Sequence, residues 1–566
     1  MKFKYILLIF LSSVLFQHLN AQTKSKYPQD YFRSPVEGRI YLSGTFGELR
    51  SNHFHGGIDI KTGGVEGKNI YAAADGWVSR IKISPWGYGN AVYIDHPNGY
   101  TTVYGHLKEL KGDAAKYVEQ QQYKNQSFSV DLYVKAGQFP VKKGDIIALS
   151  GNTGGSGGPH LHFEIRETAN QEIINPLLFG FKVKDFITPT ISSIRIYPAE
   201  EQAKIEGKQN AQTFTLKGWG SDYLLKEKDT LEIAGDFYLG INTIDKQNDT
   251  QNKNGVYEIE IFVDSNLVYS HNVERLNFAS TRYINTLIDF DFYKKKGRSY
   301  QRTYQSPNNK LPIYNKIVNK GVFSFNDNQY HQIKYIVKDI HDNKAILNFT
   351  VFSKTIENNE SLSSGNLYYP LGENNYEDEN IKVYFPSRSL YDTLSFSSSI
   401  EESDKSINGK KYHIGKVGAG LQEHIHVKLK NIEIEEDLKN NIYIGEYYKK
   451  SISAYSSSWE NTYDLSFKTR DFGEYLILVD TIAPSIKVRT KLENNKTPKS
   501  LSFTITDQES GISDYNAWFN GSWILMSYDP KKSRLTCQLN NIQEKNVFKI
   551  IINDGVGNIS EKILHF

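Results

Sequence analysis

The sequence predicts a mainly β chain: an N-terminal antiparallel β domain followed by two to three β-sandwich, immunoglobulin-like domains. Three observations lead there. Short alternating apolar runs recur between Gly, Pro, Asn and Asp turn signals, β-branched and aromatic residues dominate after about residue 188, and long helical periodicity is absent. At 566 residues and about 150 residues per domain, the chain has room for three to four domains. Hydrophobic residues at 39%, with 13% aromatic, supply several packed cores and argue against wholesale disorder. Sixty-seven Lys and Arg against 64 Asp and Glu leave a charge of +3, which excludes an electrostatically driven nucleic-acid or anionic-membrane partner. A single cysteine, Cys537, excludes an intramolecular disulfide framework, Cys-rich zinc fingers and Cys-ligated iron–sulfur clusters.

The first 21 residues read as an address. Met1-Lys2-Phe3-Lys4 is basic, Tyr5 to Phe16 is an apolar run of secretory length, and Asn20-Ala21 offers a small residue at the cut. The run is too short for a spanning helix, which needs roughly 20 apolar residues. No cysteine lies near the cut, so no lipid anchor is expected. The mature protein is expected to be exported to the periplasm or cell envelope, or beyond it.

Residues 22–187 form the first expected domain. Asn90 to Ile94 and Tyr100 to Tyr104 read as strands around the turn His96-Pro97-Asn98-Gly99, and Ile146 to Leu149 follows another turn at Val141 to Asp145. The one good helix candidate runs from Ala114 to about Gln122 with Asp113 as its cap. It sits in an insertion, about residues 111–137, that reads equally as a rim or lid and as a surface ornament.

Beyond it, Tyr257 to Ile261 alternates strictly, turns at Asp264-Ser265-Asn266 and resumes at Leu267, which predicts a hairpin with one buried face. Weak repetition places the boundaries. Ile187-Thr188-Pro189-Thr190-Ile191 matches Ile482-Ala483-Pro484-Ser485-Ile486. A strand ending at Asp339 with Asn343 four residues on matches one ending at Asp554 with Asn558. The expected units are a β-sandwich at 188–355, a β-rich domain at 356–480 and an immunoglobulin-like sandwich at 481–566.

Six of the 14 histidines fall between His53 and His162. His55-Gly56-Gly57-Ile58-Asp59 puts an imidazole and a carboxylate on either side of a pliable Gly-Gly segment. His160-Leu161-His162 lies in a strand-like run, where residues i and i+2 share a face. Tyr104-Gly105-His106 ends another strand with a third imidazole. A zinc ion held by His, Asp and His keeps an open position and lowers the pKa of a bound water, while further histidines move protons, so these residue types suit amide hydrolysis. His424-Ile425-His426 has the same spacing without the neighbouring motifs and reads as an exposed strand face. His53 is an alternative to His55, and His96 reads as a turn residue only.

The ordered motifs HGGID, YGHL and SGNTGGSGGPHLHFEI, then Asn175-Pro176-Leu177, resemble the M23 peptidases, the lysostaphin/LytM-type zinc endopeptidases of bacterial cell walls. The resemblance covers about residues 40 to 180. It implies His55, Asp59 and His162 as zinc ligands and His106 and His160 as catalytic histidines, with His160 the expected base. It also implies glycines 151 to 158 as a wall of the substrate groove and peptidoglycan as the substrate. Leu49 stands where some relatives carry a tyrosine, and Glu48 and Arg50 have no role assignable from sequence. Inactive relatives that activate amidases have lost ligands, whereas all five matched positions are intact here. The alternatives are a non-catalytic wall-binding or amidase-activating scaffold, and a secreted lysin or proteinase acting on other cells or Gly-rich proteins. The three C-terminal units show no chemistry of their own and are expected to position the first domain against wall or envelope proteins.

Overall fold

In the computed structural model, which describes residues 26–356, 366–493 and 496–566, nearly every regular element is a strand. The expected signal segment lies outside the described residues. Among those described, no helix is long and apolar enough to cross a membrane.

The N-terminal unit is built on an antiparallel sheet whose strands run in the order Leu42–Gly44, Ile58–Lys61, His160–Glu167, Tyr100–Leu110, Asn90–Asp95, Gly76–Ile83 and Pro140–Val141. Ile146–Ser150 pairs with both Tyr100–Leu110 and Asn69–Tyr71 and folds a second layer over the first. Ile58, Ile60, Ile81, Ile94, Tyr104, Leu161, Phe163 and Ile165 fill the core between them. The alternation along Ile58–Lys61 and His160–Glu167 sends these apolar residues inward and leaves Asp59, His160 and His162 on the opposite face.

Two residues at the insertion differ from expectation. The helix spans Gly112–Asn125, with Lys111 as its cap residue and no side-chain cap; Asp113 falls inside the first turn. Its carboxylate instead pairs with Lys116 one turn on, which competes with capping. The strand Val130–Tyr133 returns to pair with Gly76–Ile83, so the insertion is tied into the sheet.

The next unit carries a long twisted sheet from Thr190–Pro198 to Lys344–Lys354, with its own core around Ile194, Leu239, Ile261, Tyr335 and Val351. It is not purely antiparallel: Asp222–Leu225 and Thr230–Ala234 both run parallel to Lys344–Lys354. The hairpin Glu258–Val263 and Asn266–Asn272 turns through Asp264 and Ser265 at φ of 46° and 70°, as a tight two-residue turn requires. Residues 366–480 hold two five-stranded sheets over a separate core that includes Val383, Phe385, Ile425 and Tyr475. The last unit packs two four-stranded sheets around Phe503, Leu535, Phe548 and Ile550.

A further apolar cluster joins three of these units. Phe46 and Phe54 from the N-terminal unit meet Val273, Leu276, Tyr283, Ile284, Leu287 and Phe290 from the second and Tyr391 from the third. The strand Ile173–Ile174 also pairs with Arg275–Leu276, so the sheet itself continues across this junction. Gly47 lies where a Cβ would come within 2.6 Å of the Val273 side chain, a close approach that only glycine permits. The segment leading to His55 is therefore held from behind by the neighbouring unit.

Candidate metal centre and groove

Strand register assembles the site. His162 lies directly opposite Asp59 on one side and Gly105 on the other. His55 sits just before the strand of Asp59 and is fixed by its main chain, whose N–H donates to Glu48 O at 2.9 Å. The result brings His55 Nε2, His162 Nδ1 and Asp59 Oδ1 together: 3.0 Å between the two nitrogens, and 3.0 Å and 2.9 Å from each to the carboxylate oxygen. All three side chains are buried.

The outer contacts of these residues set which atoms face inward. His55 Nδ1 lies 2.7 Å from the Thr45 carbonyl, which can only accept, so Nδ1 carries the proton and Nε2 presents its lone pair. His162 Nε2 lies 2.8 Å from Glu164 Oε1, which likewise leaves Nδ1 free. Asp59 Oδ2 accepts from Arg50 Nη2 at 2.9 Å, leaving Oδ1 for the centre. Two imidazole nitrogens and one carboxylate oxygen with converging lone pairs suit a divalent ion such as zinc. Gly44 makes the room, since a Cβ there would stand 2.7 Å from Asp59 Oδ2 and 2.8 Å from Arg50 Nη2.

Electrostatics follow the same contacts. Burial alone would push the Asp59 carboxyl up, but His55, His160 and His162 hold it far below the usual carboxylate range. Burial would likewise raise Glu164, yet the Arg166 charge and His162 bring it down to about 2. Arg166 Nε donates to Glu164 Oε2 at 2.7 Å, and Tyr88 donates its hydroxyl to Oε1 while its ring stacks on His162 at 5.0 Å.

The two remaining histidines line the open side. His106 occupies a bulge in Tyr100–Leu110 at φ 58°, a left-handed conformation rare for a non-glycine residue and common at functional sites. Its Nδ1 lies 2.8 Å from the Thr153 carbonyl, so Nε2 is the unprotonated nitrogen. Burial, with His162 and His160 nearby, lowers its pKa to about 3. His160 Nδ1 lies 2.7 Å from the Gly158 carbonyl, and its Nε2 is 3.3 Å from Asp59 Oδ1. The two rings meet edge to face at 4.8 Å.

Glycines 151 to 158 form one wall. Gly155 N donates to Gly87 O at 2.8 Å, and a Cβ on Gly154 would come within 2.3 Å of Gly89 N. The last unit reaches this wall: Lys531 Nζ donates to the carbonyls of Asn152 and Ser156, the latter at 3.1 Å. Nearby, Trp523 meets Tyr123 of the inserted helix edge to face at 5.5 Å.

The structure therefore brings together His55, Asp59, His106, His160 and His162. His53 points away, exposed, with Nδ1 2.8 Å from the Ser51 carbonyl. His424 and His426 lie on an exposed strand face. His96 is more than a turn residue: buried between the Asp75 carbonyl and Thr102 Oγ1, it is a fully bonded core histidine. Arg50, Tyr88, Glu164 and Arg166 were not singled out with roles by sequence. Glu164 and Arg166 continue the i+2 series of His160 and His162, a signal that could have found them. Arg50 arrives on the short hairpin that pairs it with His53, nine residues from Asp59, and Tyr88 arrives through long-range folding and carried no such signal.

A β-sheet groove over two imidazoles and one carboxylate, with two more imidazoles on its rim, defines a domain of the metallopeptidase class. The model of peptidase family M23 matches residues 53–124 and 122–176, all within the N-terminal unit. A Zu5-like domain matches residues 366–480. The relatives include an uncharacterized metalloprotease of Haemophilus influenzae, 37% identical over 145 residues, which are 26% of this chain and 22% of the relative. Peptidoglycan DD-endopeptidase ShyA of Vibrio cholerae is 32% identical over 139 residues, 24% and 26% of the two chains. Murein hydrolase activator NlpD of Escherichia coli is 34% identical over 152 residues, 27% and 32%. The catalytic domain of the antimicrobial peptidase lysostaphin from Staphylococcus simulans is 25% identical, covering 25% of this chain and 90% of that one at a TM-score of 0.19. The chain thus spans only about a quarter of the length of the first curated relatives it matches.

Proposed function

We propose that the protein is an exported, zinc-dependent endopeptidase that hydrolyses peptide bonds in the cross-links of peptidoglycan. The observation that carries this reading is the convergence of His55 Nε2, Asp59 Oδ1 and His162 Nδ1, each turned inward by a bond on its outer side. Zinc held there would supply Lewis acidity toward a carbonyl and toward water. His106 and His160 each have Nδ1 tied to a main-chain carbonyl and present Nε2 to the groove. In that tautomer Nε2 accepts a proton. We assign His160, beside the ligand carboxylate, as the base that takes a proton from the attacking water. His160 then returns that proton to the leaving amine, while His106, held neutral by burial, lies beside it with its Nε2 lone pair toward the groove. Glu164, Arg166 and Tyr88 hold His162 in place, and Arg50 holds Asp59. The peptidoglycan substrate rests on the kinship with the Vibrio cholerae DD-endopeptidase.

The likeness to the Escherichia coli murein hydrolase activator favours a second reading, an amidase-activating scaffold. Single His160→Ala and His106→Ala variants separate the two. Loss of a positioned proton acceptor lowers turnover by about a hundredfold or more with zinc still bound. A scaffold would lose nothing. The C-terminal units, packed against the His55 segment and the glycine-rich wall, are assigned to positioning this groove against the wall or envelope proteins.

A further inference from the structure

The two sandwich-type units open with the same polar frame. In the first, Asp185 precedes Ile187-Thr188-Pro189 and accepts from Ile187 N at 3.0 Å through Oδ1. Asp339 accepts from Asn343 N at 2.9 Å and from Asn343 Nδ2 at 2.7 Å, and that amide also reaches the Asp185 carbonyl at 3.3 Å. In the last unit Asp480 accepts from Ile482 N at 3.0 Å, Asp554 from Asn558 N and Nδ2 at 2.8 Å, and Asn558 Nδ2 reaches the Asp480 carbonyl at 3.0 Å. A third aspartate completes each frame, just after the strand Phe237–Ile244 for Asp245 and just after Ser500–Thr506 for Asp507. In both sets one carboxylate oxygen from each residue lies within 4.8 Å of the other two.

The copies differ in what answers the negative charge. In the last unit Ser510 donates both N–H and O–H to Asp480 Oδ2, at 3.1 Å and 2.6 Å, and Asp507 Oδ1 accepts from Glu509 N and Gly511 N. Burial would raise Asp480, but these donors bring it below its ordinary value. In the first unit His341 N adds a bond to Asp339 Oδ1 at 2.8 Å, but the outer oxygens of the other two carboxylates are not answered. Asp185, Asp245 and Asp339 are 5%, 3% and 2% exposed, and Asp185 Oδ2 and Asp245 Oδ1 have no hydrogen-bond partner. Asn254 exchanges both main-chain hydrogen bonds with Asp245, at 2.9 Å and 2.8 Å, which sets their side chains on one face. It is 3% exposed, and neither its Oδ1 nor its Nδ2 has a partner; Gln247 Oε1, two residues from Asp245, is buried and unpartnered too. Burial pushes all three carboxyls up, and the neighbouring carboxylates add to it for Asp185 and for Asp245, which reaches about 8.

Buried oxygens without donors are costly unless something positive satisfies them. Every available donor atom here is a carboxylate or amide oxygen, the set that hard cations take and that transition metals do not require. We propose that Asp185, Asp245 and Asp339, with the Asn254 amide oxygen, form a calcium site that pins the chain leaving the peptidase unit onto the first sandwich. The last unit retains the frame but fills it with its own donors, and needs no ion.

The test is calcium titration by calorimetry on the full mature chain, stripped on a chelating resin and held with one equivalent of zinc to occupy the histidine centre, alongside thermal unfolding. One calcium per chain is expected, with a higher Tm in its presence. Asp245→Asn weakens calcium binding at least tenfold and melts no lower than the wild type does without calcium. Asp185→Asn serves in its place should Asp245→Asn not fold. Asp507→Asn keeps the bound calcium. A wild-type chain that neither takes up calcium nor gains Tm from it overturns the proposal, as does a folded Asp245→Asn or Asp185→Asn that binds calcium as the wild type does. Loss of binding in Asp507→Asn overturns it as well, by placing the ion in the other frame.

Discussion

Glu164→Gln isolates the charge behind the candidate metal centre. The side chain is fully buried, accepts from His162 Nε2 at 2.8 Å and from Arg166 Nε at 2.7 Å, and is held to about 2 by burial set against these partners. Glutamine keeps the volume and one carbonyl oxygen for His162, so ring orientation survives while the charge is lost. Outer carboxylates of this kind contribute about 10- to 100-fold in metal affinity, or about 1.4 to 2.7 kcal/mol. The Arg166 guanidinium loses its buried counter-charge, and breaking a buried pair from one side costs about 3 to 5 kcal/mol in stability. Arg166 also lies over the Tyr93 and Phe278 rings, which lessens that cost. Zinc affinity is read by competition with a chromophoric chelator, and stability by denaturant unfolding with and without zinc. Expected are a tenfold or greater loss of affinity and a loss of several kcal/mol in unfolding free energy. A folded Glu164→Gln with wild-type zinc affinity would refute the argument that Glu164 tunes His162.

Two other expectations concern regions outside the centre. Lys531→Ala removes the last unit's hold on the Asn152 and Ser156 carbonyls; cleavage by protease at the glycine-rich loop should quicken and peptidase kcat/KM should rise several-fold with Tm unchanged. His271 is buried, with Nδ1 2.9 Å from the Tyr269 hydroxyl and Nε2 3.2 Å from Gln301 Oε1, and burial lowers its pKa from 6.5 to about 4. A depressed imidazole favours the fold above its unfolded pKa, and that contribution is lost as pH falls from 6.5 to about 4. The stability advantage of wild type over His271→Gln should therefore shrink by about 3 kcal/mol across that window and stay constant above it, as read by urea unfolding at each pH.

The site was legible where it follows local periodicity. His160 and His162 share a face because a strand repeats every two residues, and His55 and Asp59 flank a Gly-Gly turn that brings them together. Both follow from neighbouring residues in the chain. Tyr88 does not: it reaches His162 and Glu164 through strand order that neighbouring residues do not encode, while Arg50 comes on a short hairpin whose pairing with His53 carried no alternation signal. The all-β character was likewise legible from alternation, but the parallel pairs on Lys344–Lys354 were not, because alternation is blind to strand direction. The helix cap falls at Lys111 and not at Asp113, because a carboxylate there can pair with Lys116 instead. The repeated Ile-x-Pro and Asp-x3-Asn signals were visible, while the convergence of their aspartates required a third strand end to arrive from elsewhere.

We propose that His55, Asp59 and His162 hold the metal needed to cut peptidoglycan cross-links. The most direct test is mass analysis of muropeptides after purified mature protein meets isolated sacculi, beside the chelated protein and His162→Ala. Loss of cross-linked dimers that requires metal and is absent in the variant is the expected result. Equal cleavage by folded His162→Ala, or intact dimers after treatment with zinc-loaded wild type, would contradict it.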